Sequence, residues 1–384
     1  MAGYVDRGDM PGLVSAVSRR GEAHVDAIGT TAAGGDDPMR HDTIFRISSM
    51  TKPITAVATM ILIEECRLRL DEPVDRLLPE LADRQVLTRL DGPLDDTVPA
   101  TRPITVRDLL TFRMGLGLIL GTPDEYPILR AVNELGIAGF GPPDPSTPHD
   151  PDEWLRRLGT LPLMHQPGEQ WMYNTGSYVL GVLIARAAGL PLETFLRERI
   201  FEPLGMRDTS FSVPADKLDR LASCYAFDPD TGELKLVDGV ADSRWGRSPV
   251  FPDASGGLVS TIDDYLAFGQ MLANQGVFGN VRILTRLSVD VMTTNHLTPE
   301  QQAGAGPILG DNRGWGFGVS IVIRRDDVAA VPGRFGWDGG YGTFWTSDPT
   351  EDMVAVLMTP RLVWPGPLSI ADDFRTSAYQ AIDD

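Results

Sequence analysis

The pattern of apolar and polar positions gives the chain strand-like ends and a helix-rich middle. Residues 13–18 and 23–28 are short β-prone runs separated by Arg19-Arg20-Gly21-Glu22, which predicts a hairpin. Residues 54–63 form a long apolar run preceded by Ser48, Ser49, Thr51 and Pro53. That order predicts a buried helix with a serine near its cap and the proline in or near the first turn. An extended connector at 68–74 and a polar, Pro/Asp-rich surface loop at 84–102 come next. Residues 104–110 then read as a capped helix start. The stretch 136–152 is crowded with glycine and proline, which predicts an irregular loop of the kind that walls substrate sites in compact enzymes. Helical periodicity returns at 152–158, 177–188, 192–200 and 261–274. Strand patterns follow at 316–323, 334–337, 343–346 and 353–358, and a last helix at 369–382. This order of strands, helices, strands and a final helix predicts an α+β fold, an antiparallel sheet built from both chain ends and flanked by helices. The expected division is residues 1–75 and 250–384 for the sheet-bearing lobe and 76–249 for an inserted, mainly helical lobe, with the active site between them.

Bulk composition narrows the partners. Hydrophobic content of 42% and charged content of 23% over 384 residues are ordinary for a soluble globular protein. A formal charge of −19 opposes encounter with nucleic acid or an anionic membrane, so neither is expected as a partner, and nothing in the sequence bears on oligomeric state. Two cysteines do not make a disulfide framework, and Cys66, at the end of the apolar helix, reads as a buried free thiol. The N-terminal residues lack the basic segment and apolar run of a secretory leader, and no window reaches transmembrane length. The expectation is a cytoplasmic protein.

Candidate chemistry begins at the apolar helix. Ser49 and Lys52 stand three apart and share a helix face, so the lysine amine can sit over the serine hydroxyl. A serine needs a base before it attacks a carbonyl, and a buried lysine can have a pKa low enough to be one. The helix N-terminus adds positive potential for a developing oxyanion. The bland reading is a capping serine followed by a surface lysine, but the chain has only three lysines, and this one precedes a wholly buried helix pattern. No serine carries glycines at both −2 and +2, which excludes an α/β-hydrolase elbow, and no phosphate loop or dinucleotide fingerprint is present. The five histidines are scattered without metal-ligand spacing, so no metal and no cofactor is implied; His165 reads as a turn or packing residue. Two further stretches draw attention: residues 166–178, where Tyr173-Asn174-Thr175 leads into an apolar helix, and residues 335–345, a strand broken by glycines.

Taken with Ser49-Met50-Thr51-Lys52-Pro53, these stretches resemble the serine β-lactamase and penicillin-binding-protein superfamily. Within it the chain is most similar to class C β-lactamases and family VIII carboxylesterases. Leu109-Leu110-Thr111 with Gly115-Leu116, Gln166-Pro167-Gly168-Glu169, Ser260-Thr261 with Asp264-Tyr265, and Trp337-Asp338-Gly339 extend the match over most of the chain. The resemblance implies a β-lactamase/DD-peptidase-like fold and a catalytic set of Ser49 as acylated nucleophile, Lys52 as its activator and Tyr173 as proton shuttle. It further implies an oxyanion hole from the backbone N–H groups of Ser49 and Gly340, and substrate contacts from Asn174, Thr175, Trp337, Asp338, Gly339 and Tyr341. Two departures shape the substrate: Thr175 stands where the family's Tyr-x-Asn motif has asparagine, and Trp337 stands where penicillin-recognising members have the lysine of Lys-Thr-Gly. The expected activity is hydrolysis of small neutral esters, with a β-lactamase, a D-amino-acid peptidase or amidase, and an acyltransferase as rivals. A non-catalytic receptor of this fold would have lost Ser49, Lys52 or Tyr173, and all three are present.

Overall fold

The computed structural model describes residues 1–119, 121–137, 147–364 and 369–383. Arg20 and Gly21 both take positive φ (51° and 83°), so the first hairpin closes through a two-residue turn whose twist suits its strands. It joins β1 (Gly12–Arg19) to β2 (Glu22–Gly29) in a register running from Gly12 opposite Gly29 to Arg19 opposite Glu22. Five strands from the other chain end complete the sheet: β3 (Arg313–Trp315), β4 (Ser320–Val322), β5 (Phe335–Gly339), β6 (Thr343–Asp348) and β7 (Met353–Met358). The order is β3-β4-β5-β6-β7-β1-β2 with every pair antiparallel, so the two chain ends meet where β7 pairs with β1.

Strand periodicity decides what covers each face. Val14 and Ala16 of β1 join Val354, Val356 and Met358 of β7 in the main core, while Leu13, Ala355 and Leu357 point the other way, under the C-terminal helix. Four helices organise the rest: α1 (Thr51–Glu64), α2 (Thr175–Ala188), α3 (Ile262–Ala273) and α4 (Ile370–Gln380). α1 is buried from Thr51 through Leu62, as expected of a helix apolar on all sides. Its threonines stay satisfied by bonding back to carbonyls: Thr55 Oγ1 to Thr51 O (3.2 Å) and Ala254 O (2.8 Å), Thr59 Oγ1 to Thr55 O (2.9 Å). One continuous apolar cluster runs from the sheet through α1 and α3 into α2 and the helices around it.

Several expectations change. Neither serine caps α1; a 3₁₀ turn, Ser48–Met50, runs straight into it. Cys66 is exposed beyond the helix end, with φ +59°, instead of buried. The 84–102 stretch holds a small hairpin, Gln85–Leu87 with Thr97–Pro99. Of the strand expected at 316–323 only Ser320–Val322 forms, because residues 316–319 make the tight turn between β3 and β4: Gly318 has φ +71°, and a Cβ there would lie 2.7 Å from Ala56 Cβ and 2.9 Å from the Lys52 carbonyl. Only glycine lets this turn seat against α1. Helix Pro299–Leu309 was not expected because its glycines and second proline argue against it. A capping box between Thr298 and Gln301, with Ala305 and Leu309 buried in an aromatic cluster, holds it. Most of the loop expected at 136–152 lies outside the described residues; Gly136, in left-handed conformation, ends helix Pro127–Leu135 before it.

Candidate active site

The turn that feeds α1 sets the first part of the site. Ser48 takes φ +48°, a strained value for a residue with a Cβ. Ser48 and Met50 are buried, and Ser49 between them stays partly exposed. One turn on, Lys52 is only 1% exposed. Its Nζ lies 3.1 Å from Ser49 Oγ and donates to the Ser255 carbonyl at 2.7 Å. The same amine sits 4.7 Å from the centroid of the Tyr173 ring. Burial pushes the Lys52 ammonium down to about 7, with Asp253 pulling the other way.

Tyr173 is delivered by a frame that begins at residue 111. Phe112 takes φ +55°, its carbonyl accepts from Met172 N (2.7 Å), and Leu118 N donates to the Tyr173 carbonyl (2.9 Å). Residues just after the Leu-Leu-Thr and Gly-Leu motifs thus hold the tyrosine segment in place. Aromatic rings surround Tyr173: Phe112 edge-on at 5.5 Å, Trp171 stacked at 5.7 Å and Trp315 edge-on at 6.4 Å. Trp337 Nε1 donates to Tyr173 Oη at 2.9 Å. Burial keeps the phenol well above its ordinary value, while hydrogen bonding with Ser49 and Trp337 opposes that rise. The next residue, Asn174, is at φ 89° and ψ −56°, a strained conformation, and its side chain does not cap α2; Thr175 is the first residue of that helix. The Asn174 side chain faces Tyr178 instead.

Strand alternation sorts the third motif. Trp337 faces Tyr173, so Asp338 faces the opposite side of the sheet, where its carboxylate pairs with Arg375 of α4 at 2.5 Å. The Asp338 carboxylate, expected to contact substrate, therefore points away from Ser49 and Tyr173. Tyr341, expected to do the same, is 2% exposed and packs edge-on against Trp245 with Leu221 and Cys224. Arg334, the nearest arginine in sequence, is buried on the outer face beside Arg375 and Asp338. At position 339 only glycine fits, since a Cβ there would be 2.3 Å from the Ile47 carbonyl. The missing side chain lets β5 press onto the turn that carries Ser49, aided by Thr343 Oγ1 donating to Ile47 O (3.1 Å). Gly340 follows against the same turn; a Cβ there would lie 3.7 Å from Ser48 Oγ.

The structure also brings in groups that the motifs did not single out. Asp253, 4% exposed, accepts from Ser255 N at 2.7 Å in an Asx-type turn. Tyr178, one helical turn after Asn174, faces both Asp253 and Ser255. The Asp-x-Ser spacing before Gly256-Gly257 was the available signal for this turn.

The family model described as Beta-lactamase matches residues 1–380. The chain belongs to that family. Its relatives include an uncharacterized protein of Mycobacterium tuberculosis, 39% identical over 92% of this chain and 86% of the other. Esterase EstB of Burkholderia gladioli is 32% identical over 94% of this chain and 89% of its own. Among solved structures, EstCE1, described as a hydrolase with promiscuous acyltransferase activity, superposes with a TM-score of 0.80 at 25% identity, covering 98% of this chain and 95% of that one. Family membership makes this protein an enzyme, a serine hydrolase on the β-lactamase fold.

Proposed function

We propose that this serine hydrolase cleaves small neutral carboxylic esters through an acyl-enzyme on Ser49. The observation that carries the reading is the buried Lys52 amine 3.1 Å from Ser49 Oγ, with Tyr173 Oη held beside them by the Trp337 indole N–H. With a pKa near 7, a large fraction of Lys52 is neutral at physiological pH and available as a base. As Ser49 Oγ attacks the ester carbonyl, its proton passes to Lys52 Nζ. Negative charge on the carbonyl oxygen faces the backbone N–H groups of Ser49 and Gly340. Tyr173, kept as a phenol by burial, gives its proton to the departing alkoxide and is reprotonated from Lys52. Water then attacks the acyl carbonyl with the same groups in reverse, releasing the acid and restoring Ser49.

Neutral substrates are favoured because, among the described residues in contact with Ser49 and Tyr173, Lys52 is the one cation. A β-lactam or D-alanyl peptide carries a carboxylate beside the bond cleaved, and burying it without a cationic partner costs several kcal/mol, roughly two or more decades of binding. A phosphonate ester should therefore add once per chain, on the peptide containing Ser49. Short p-nitrophenyl esters should exceed a chromogenic cephalosporin in kcat/KM by at least about a hundredfold. Labelling of another serine, or comparable cephalosporin turnover, would overturn the reading.

The description of EstCE1 supports a second reading in which an alcohol replaces water in the second step. Product partitioning in the presence of added alcohol separates the two: transfer shows as a new ester formed at the expense of free acid.

A further inference from the structure

Besides Ser49, the turn at residues 253–257 holds Lys52. Asp253 accepts from Ser255 N (2.7 Å), and its own carbonyl accepts from Gly257 N (2.8 Å). The Ala254 carbonyl is anchored to α1 by Thr55 Oγ1 (2.8 Å), and the Ser255 carbonyl takes the hydrogen bond from Lys52 Nζ (2.7 Å). The Asp253 carboxylate is buried, and among the described residues it has no direct ion pair. Burial holds its carboxyl above the ordinary carboxylate range, and the hydrogen bonds from Ser255 and the Lys52 charge offset part of that rise. The groups facing Lys52 are Ser49 from the 3₁₀ turn before α1, Asp253 and Ser255 from this turn, and Tyr173 from the segment just before α2. Asp338 lies on the far side of the sheet and is matched by Arg375. Within this set, Asp253 is the one carboxylate without a direct cationic partner.

We propose that Asp253 is a positioning residue for Lys52: its carboxylate ties the turn that aims the Ser255 carbonyl at Nζ, and supplies the counter-charge to the lysinium formed when Ser49 attacks. This rests on the Ser49–Lys52 mechanism above. In the step itself the Ser49 O–H bond breaks, Nζ takes the proton and Oγ bonds to the acyl carbon; Asp253 stays ionised and exchanges no proton. Burial would otherwise make the lysinium costly, and a nearby anion lowers that cost without touching substrate.

The test is Asp253→Asn, which keeps an oxygen acceptor for Ser255 N–H and removes the charge. Loss of the anion makes Lys52 harder to protonate, so the acid limb of kcat/KM for a p-nitrophenyl ester should move to lower pH by about half a unit or more. The plateau kcat should fall by about tenfold, with KM changed less than about twofold. Asp253→Ser, a shorter uncharged acceptor, should move the limb the same way. An unmoved limb in a folded variant overturns the proposal. Should both variants fail to fold, infrared titration of the intact chain against Lys52→Met decides: a buried carboxyl should protonate at higher pH once Lys52 is gone, and an unchanged titration overturns the proposal. A parallel Ser49→Ala assay separates the two failures, since ester turnover that survives it sinks the acyl-enzyme reading instead.

Discussion

Replacing Lys52 with methionine should abolish ester turnover and, below neutral pH, make the folded protein more stable. Holding a lysine of ordinary value 10.5 at about 7 disfavours its charged form by about 5 kcal/mol, at roughly 1.36 kcal/mol per pH unit. The Asp253 attraction is already contained in that figure. An unfolded chain keeps the lysine protonated up to about pH 10.5 and the native one only up to about 7. Between those values unfolding takes up a proton, so this residue makes wild-type stability rise with pH, and the whole penalty is present below 7. Methionine is close in length and carries no charge. It leaves the Ser255 carbonyl without the donor it has at 2.7 Å, a loss of about 1–3 kcal/mol. The balance below pH 7 is a gain of about 2–4 kcal/mol, and near pH 10 it reverses to a small loss, crossing around pH 9. Unfolding entropy for 384 residues is about 0.8 kcal/mol/K, so a gain of 3 kcal/mol is an upward Tm shift of about 4 °C. Urea melts of both proteins between pH 6 and 10 measure it. A stability difference that stays constant across that range would show that Lys52 is not held near 7, and the base assignment would fall with it.

Three other outcomes follow from particular contacts. Tyr173→Phe should lower kcat by about 10²–10⁴, and combining it with Lys52→Met should cost far less than the product of the single losses, because both serve one proton path; multiplicative losses in the double variant would separate them. Trp337→Phe removes the 2.9 Å bond to Tyr173 Oη while keeping an apolar ring. It should reduce kcat about tenfold with little effect on KM, and unchanged kcat would make the indole N–H incidental. Asp338→Asn should leave kcat/KM within about twofold, yet cost about 1–3 kcal/mol in denaturant melts by weakening the partner of the buried Arg375 guanidinium. A large kinetic defect there would return Asp338 to the substrate side.

Local chemistry wrote much of this protein into its sequence. The hairpin around Arg20-Gly21, the all-apolar helix after Lys52, the capped start at Thr105 and the sheet from both chain ends rest on periodicities and turn residues that act over a few positions. Ser49 and Lys52 were legible for the same reason: spacing along one helix fixes their approach. What the sequence could not decide was which side a neighbouring residue faces and what meets it across the fold. Trp337 and Asp338 are adjacent in the chain, and only the placement of β5 between α1 and α4 sends the indole to Tyr173 and the carboxylate to Arg375. Tyr341, which the resemblance offers as a substrate contact, packs under Trp245 because the chain turns between Gly339 and Gly342. Asp253 stands 201 positions from Lys52 and carries no helical or strand pattern that points toward it. Its role depends on a turn seated against α1 by tertiary packing, which brings together groups that no local periodicity relates.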